Sequence, residues 1–456
     1  MEPRDVVTVA DAKQIVSERN LSHVKLGLID IDGIMRGKYV SKDKFFSVLD
    51  KGFGFCDVVL GWDSNDQLYD NVTYTGWHTG YPDAPVRVLP ESCRPLPDEG
   101  GGLFFLCEFA SPADALCPRG VLRRTLRKAE DMGLLISSAF EFEFFMFEET
   151  PRSVEEKKHT NMVPLTPGNF GYSVIRNSVY SELYQEILDL CEIMDFPVEG
   201  IHTETGPGVI EAALAVDDAL ASADKAALFK TFIKVLAQRN GLMATFMARW
   251  SNSFPGQSGH IHISARDKGS NESRFYDAAD PHGMSKTMKH FVAGQQRLMG
   301  ETLCMVASTV NSFSRLVPGF WAPINSTWGV ENRTCALRVI PGSAKSQRVE
   351  YRIAAADVNP YLSLAAAIGA GLYGIEHGLE LSDPVQGNAY DQEHAPETAL
   401  PATLWEAAQA LKGSKAAKEL FGDDFVSHYA ATREWEEREF RRHVTDWELQ
   451  RYFEII

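Results

Sequence analysis

The stretch that most constrains this chain is Ala139-Phe140-Glu141-Phe142-Glu143-Phe144-Phe145. Strict alternation of aromatic and acidic side chains fits a β-strand, whose successive residues point to opposite faces. Phe140, Phe142 and Phe144 then share one face, and Glu141 and Glu143 share the other. Two neighbouring carboxylates repel, and beside an apolar core they also lose hydration. A cation shared between them removes both penalties. The competing reading is an edge strand with both glutamates in water. The rest of the chain favours the cation, because further same-face pairs of metal- or phosphate-binding type follow.

Composition narrows the class. With 456 residues the chain has room for two domains, or one large catalytic domain and an appendage. It contains no apolar run of the roughly 18 residues a membrane helix needs, and Met1-Glu2-Pro3-Arg4-Asp5 does not resemble a secretion signal. The 7 cysteines are scattered, with no Cys-x-x-Cys pair, which speaks against a disulfide framework or zinc site and for a reducing, cytoplasmic setting. A net charge of −17 disfavours nucleic acid and anionic membranes as partners.

Residues 1–112 read as a small β-rich domain: a helix over 9–19, a hairpin about Asp32-Gly33, a loop-rich stretch over 41–110 and a strand at 103–109. After Pro118 the period changes. Helices are expected over 119–132, 179–194, 225–239 and 286–299, and a buried Ala-rich helix from Asn359-Pro360 to about 377, with a helical, charged tail from 404. Strands are expected at 134–147, 198–202, 208–214, 242–248, 259–265, 334–340 and 349–353. Together they predict an α+β catalytic domain over 113–456, built on a curved sheet.

Several pairs of reactive side chains fall on those strands. In His202-Thr203-Glu204-Thr205-Gly206-Pro207-Gly208-Val209-Ile210-Glu211, the Gly-Pro-Gly turn can fold Glu204 and Glu211 together. His260 and His262 share a strand face, one suited to a metal and the other to phosphate, although a hydrogen-bonded core pair is the bland alternative. Glu350 and Arg352 form another such pair, with Arg338 on a neighbouring strand. Carboxylates and imidazole suit Mg²⁺ or Mn²⁺. Arg315, Arg333, Arg338, Lys345, Arg348 and Arg352 cluster within an otherwise acidic protein, and an unpaired guanidinium inside an apolar strand is costly unless an anion meets it. Acidic metal ligands with an arginine cluster suit phosphoryl transfer from a nucleotide, and there is no P-loop motif.

These motifs, in this order, resemble the glutamine synthetase superfamily over nearly the whole chain: Glu141-Phe142-Glu143, His202-Thr203-Glu204 with Glu211, Gly259-His260-Ile261-His262, Arg315-Leu316-Val317-Pro318-Gly319, Asn332-Arg333, Arg338-Val339-Ile340-Pro341, Glu350-Tyr351-Arg352 and Asn359-Pro360-Tyr361. The resemblance implies an N-terminal β-grasp domain, a C-terminal catalytic domain and homo-oligomeric rings, usually a dodecamer, with active sites between neighbours. It implies two or three divalent ions, one held by Glu143, Glu204 and Glu211 and another by Glu141, His260 and Glu350. Gly256, Arg315 and Arg352 would hold glutamate. Arg333, Arg338, Lys345 and Arg348 would hold ATP phosphates, with His262 near them and Ser264 near the adenine. The implied reaction forms γ-glutamyl phosphate, which an amine converts to an amide.

The departures narrow the substrate. Trp321 stands where ammonia-using members carry a glutamate that binds ammonium and removes its proton, and Pro255 replaces the asparagine expected before Gly256. Asp63 matches the other ammonium-site residue only loosely. The pattern resembles the γ-glutamylamide branch, which couples glutamate to alkyl amines, polyamines or ethanolamine. The alternatives are an ammonia-using glutamine synthetase, a catalytically inactive structural relative and a phosphagen-kinase-like phosphotransferase. Tyr390 falls near the family's adenylylation position, in surroundings that do not match.

Overall fold

In the computed structural model, which describes residues 1–456, the Phe/Glu alternation lies within a 14-residue strand, Leu134–Phe147, and the larger of two sheets is assembled around it. Its main path runs Trp328–Val330, Leu337–Ile340, Arg348–Tyr351, Gly259–Asp267, Leu134–Phe147, Val209–Leu214, Val198–Thr203. Every neighbouring pair is antiparallel except Trp328–Val330 with Leu337–Ile340. Asp217–Asp218 and Met243–Thr245 also pair with the central strand.

Phe140, Phe142 and Phe144 are fully buried on the reverse face. Phe142 and Phe144 pack against Phe229 and Phe246 with ring centroids 5.2–6.2 Å apart. Each such ring contributes about 2–3 kcal/mol by leaving water. Phe229 belongs to the helix Ala219–Arg239, which begins earlier than its apolar period suggests. Farther back lies Pro360–Glu376, capped by the Asn359 side chain, which accepts from the Tyr361 and Leu362 amides. It crosses Lys286–Thr302 backbone to backbone: a Cβ on Gly294 would sit 2.1 Å from the Ala370 carbonyl oxygen, so only glycine fits.

The first part of the chain forms a six-stranded sheet in the order Met35–Ser41, His23–Ile29, Leu103–Phe109, Asp83–Val88, Phe53–Cys56, with Arg94–Pro95 added to Leu103–Phe109. The stretch expected to be loop-rich contains a helix, Lys42–Lys51. Ser41 caps its start, Phe45 and Val48 are buried, and Gly52 ends it at φ 68°.

The hairpin turn and the short Asp57–Leu60 turn are clamped onto the C-terminal part. Arg433, 1% exposed, bonds Asp32, the Ser308 carbonyl and the Tyr69 hydroxyl. Asn359 Nδ2 donates to the Asp30 and Ile31 carbonyls at 3.3 Å. His428 Nε2 donates to the Leu60 carbonyl at 2.7 Å, and burial pushes its imidazole down to about 4, so it is neutral at pH 7. No helix is long and apolar enough to cross a membrane.

Candidate active site

Strand register brings the reactive side chains together. His260 lies opposite Glu141, and His262 opposite Glu350. Glu350 in turn lies opposite Arg338, Glu143 opposite Glu211, and Glu211 opposite His202. Directly opposed residues of an antiparallel pair share a face. One face of the sheet therefore carries Arg338, Glu350, both histidines, Glu141, Glu143, Glu211 and His202, with the phenylalanine core behind it.

Two groups there have metal-ligand geometry. Ligand atoms of Glu141, His262 and Glu350 lie within 4.8 Å of one another, as do those of His202, Glu204 and Glu211. His260 joins the first group, its Nδ1 3.6 Å from Glu141 and 3.3 Å from Glu350. His262 Nε2, 3.2 Å from Glu141, is buried without a hydrogen-bond partner, as a nitrogen awaiting a metal would be. Burial, then repulsion from Glu143, Glu141 and Glu204, pushes the Glu211 carboxyl up to about 9. A divalent cation relieves that repulsion, so the donor set fits one. Burial opposes ionisation of Glu350, but Arg352, His260 and His262 hold it down at about 2. Glu141 is likewise buried, and hydrogen bonds from His260 and His262 hold it far below the carboxylate range.

The guanidinium groups divide into held and free. Arg352 donates to Glu350 at 2.5 Å and Arg338 at 3.0 Å. Arg315 is buried and donates to the Ile353 and Arg352 carbonyls at 3.0 and 3.2 Å. Gly256 lets it approach, since a Cβ there would lie 2.7 Å from Arg315 Cγ. Arg333 is exposed on the wall. These groups, with Glu141, Glu143, Glu204 and Glu211, line a cavity of about 630 Å³. Trp321 lies at its edge, 56% exposed with φ 60°, next to Phe320.

Five expected residues lie outside that lining. His262 is held 3.2 Å from Glu141 and accepts from Arg348 Nε at 3.2 Å, so both adjoin the site. Ser264 lies one alternation further along the same strand face. Lys345 is exposed on the turn before Arg348. Asp63 is in a turn of the N-terminal part, its carboxylate accepting from the Asn65 and Gln67 amides.

Two cavity residues went unassigned in the sequence reading. His202 and Glu204 have the same two-residue spacing as Glu141 and Glu143, and that signal was available. Tyr172, stacked on His202 with centroids 4.4 Å apart, carries no such period. It is brought in by its amide, which donates to the Thr203 carbonyl at 2.7 Å.

Comparison with known proteins gives the family. The chain is 45% identical to type-1 glutamine synthetase 2 of Dictyostelium discoideum, covering 95% of this chain and 84% of that one. It is 35% identical to a glutamate–isopropylamine ligase of a Pseudomonas species, covering 98% of each, and 36% identical to a γ-glutamylethanolamide synthetase of Streptomyces coelicolor, covering 98% and 96%. A solved GmaS–ADP complex has the same fold, with TM-score 0.84 and 24% identity over 97% of this chain and 99% of that one. Residues 115–452 match the glutamine synthetase catalytic domain, and the chain belongs to that family.

Proposed function

We propose that this protein is an ATP-dependent ligase joining the γ-carboxylate of glutamate to an organic primary amine. The observation that carries the reading is Trp321 at the edge of a cavity whose floor holds two ligand groups and buried arginines. The names of the Pseudomonas and Streptomyces relatives support it. The Dictyostelium relative's name supports the second reading, an ammonia-using glutamine synthetase.

Glutamate would be held by Arg315, Arg352 and Gly256. Its γ-carboxylate oxygen attacks the terminal phosphorus of ATP, and the bond to the bridging oxygen breaks to release ADP. Arg333 and Arg338 meet the charge that shifts onto the phosphoryl oxygens, helped by Lys345, Arg348 and His262, with Ser264 toward the adenine. The amine nitrogen then attacks the acyl carbon of γ-glutamyl phosphate, phosphate leaves, and a proton is lost to a base, for which Asp63 is the residue assigned. Bound Mg²⁺ or Mn²⁺ at Glu143, Glu204 and Glu211, and at Glu141, His260 and Glu350, would supply charge neutralisation; His202 and His262 are placed to join these sets.

Asp63 lies on the N-terminal unit, residues 1–112, away from the cavity in residues 113–456, so it would serve a neighbour's site in a ring, a dodecamer by family resemblance. The exposed apolar end, including Trp447, Phe453, Ile455 and Ile456, supports association. All 7 cysteines are free, in keeping with the cytoplasm.

The test is ATP-dependent phosphate release with glutamate against ammonium, alkyl monoamines, ethanolamine, diamines and polyamines. An organic amine should give the highest kcat/KM. Equal or better use of ammonium selects the second reading.

A further inference from the structure

A second polar cavity, about 280 Å³, lies between the hairpin turn and the reverse side of the central strand. Its composition is unusual for an interior. Lys230 and Lys234, one helical turn apart on Ala219–Arg239, both line it. Lys230 is 8% exposed. Its ammonium donates to the Val358 carbonyl at 2.6 Å and lies 5.4 and 5.6 Å from the Phe142 and Phe246 rings, with no carboxylate paired to it. An ammonium has three donors, and one is engaged. Lys234 makes no ion pair, and its ammonium sits 5.6 Å from the Phe246 ring. Burial lowers both lysines, Lys230 to about 7.

The acidic groups that share the cavity are bound by groups other than the two lysines, and only Asp357 Oδ1 is left without a hydrogen-bond partner. Asp32 is bound by Arg433 and the Tyr69 hydroxyl. Asp357 Oδ2 accepts from the Thr309 and Ser312 hydroxyls at 2.8 Å. Behind Asp32, Glu436 faces Arg433 and accepts from the Val310 amide. Thr231 and Thr245 add hydroxyls to the lining. A buried and a half-buried ammonium, neither in an ion pair, beside hydroxyl donors in a space this size, match a small anion.

We infer that this inter-domain cavity is a binding site for a small anion, a phosphate or a carboxylate, held between the Lys230 and Lys234 ammoniums. The site is separate from the one proposed for ATP and glutamate, and stands whichever amine the enzyme uses. Its position gives it a route to that site. Lys230 lies over Phe142, the residue between Glu141 and Glu143, and Asp357 bonds Ser312 on the short helix that carries Arg315. An occupant would alter the charge behind both.

Calorimetric titration of the assembled protein with inorganic phosphate and, separately, with succinate tests this. Both anions can also enter the catalytic cavity, so the comparison is between wild type and Lys234→Met, with Lys230→Met as a second variant. Lys234→Met should lose one class of sites, or bind it at least about tenfold more weakly, while KM for ATP and glutamate stays as in wild type. The preferred probe identifies the anion class: phosphate alone, succinate alone, or both. Unchanged stoichiometry and affinity in Lys234→Met overturn the inference. So does the absence of any binding class beyond the catalytic one in wild type, the result expected if a neighbouring copy's carboxylate fills the cavity. Lys230→Met is read the same way wherever its circular dichroism matches wild type.

Discussion

The floor and the rim of the catalytic cavity are built on opposite principles. On the floor, Glu350, Arg315 and Arg352 are 1–4% exposed, and each side chain is fixed by named partners. At the rim, Tyr172 and Trp321 are 70% and 56% exposed, and both have positive φ, 54° and 60°. A bulky residue in that region costs of order 1 kcal/mol, so the backbone aims these rings where a relaxed loop would not. Fixed, desolvated charge suits chemistry that is the same for every amine. An exposed aromatic edge suits selection among amines, because it can be replaced without unpairing a buried charge.

That contrast can be tested from its strongest consequence to its weakest. Glu143→Ala removes a floor carboxylate that accepts from the Ser258 amide at 2.7 Å. Its kcat in phosphate release should fall by about a thousandfold or more, roughly 4 kcal/mol of barrier. A variant keeping more than about a tenth of wild-type turnover, a loss under about 1.4 kcal/mol, would remove Glu143 from the chemistry. Arg333→Ala, on the wall between floor and rim, should lower kcat about a hundredfold and leave the glutamate KM nearly unchanged. The reverse pattern would assign Arg333 to glutamate binding.

Trp321→Glu should change choice more than rate. Packing an alkyl group against the indole gains about 0.8 kcal/mol per buried CH₂, so the ratio of kcat/KM for an alkyl amine over ammonium should fall about tenfold. Unchanged selectivity would separate the rim from amine choice. Asp63→Ala and Glu143→Ala subunits, each inactive alone, should recover partial activity when co-assembled; none after confirmed mixing would confine each site to one chain.

The smallest effect on catalysis should come from the clamp. His428 is held near 4 against an ordinary 6.5, so the unfolded chain binds its proton first. Its contribution is whole above pH 6.5 and is lost as pH falls through 4, by about 3 kcal/mol in all. Glu436, pushed up to about 7 by burial, acts with the opposite sign, weakening the fold as pH rises from its ordinary 4.5 to 7. The difference between wild type and His428→Asn in urea unfolding from pH 7 to 4 isolates the histidine. Parallel curves would show that His428 does not titrate in this way.

What could be read from the sequence was what repeats. The alternation at 139–145 gave both the core face and the acidic face, because a strand repeats every two residues. The Gly-Pro-Gly turn brought in Glu204 with Glu211, and the resemblance placed Glu350 in a second set with Glu141 and His260; strand register accounts for Glu143 meeting Glu211 and for His260 meeting Glu141. Contacts made by irregular backbone were illegible: Tyr172 reaches His202 from a loop 30 residues away, held by hydrogen bonds from the Tyr172 and Ser173 amides to Thr203. The helix Lys42–Lys51 was hidden by the turn residues after it, although Ser41, Phe45, Val48 and Gly52 mark its cap, face and end. Lys230 reads as an ordinary charge on an amphipathic helix; only the packing of Phe142 and Phe246 reveals it as buried.

The clamp of Asn359 and Arg433 on the hairpin turn, and of His428 on Leu60, also bears on assembly. These bonds tie the N-terminal part to two helices of its own chain's C-terminal part, Pro360–Glu376 and Asp423–Phe440. In a closed ring of the kind proposed, each subunit is a wedge, and any play in its angle is multiplied by the number of wedges before the last meets the first. Anchors on the hairpin turn and on Leu60 stiffen that wedge. Loosening one should then appear as incomplete or open rings before it appears as an unfolded chain.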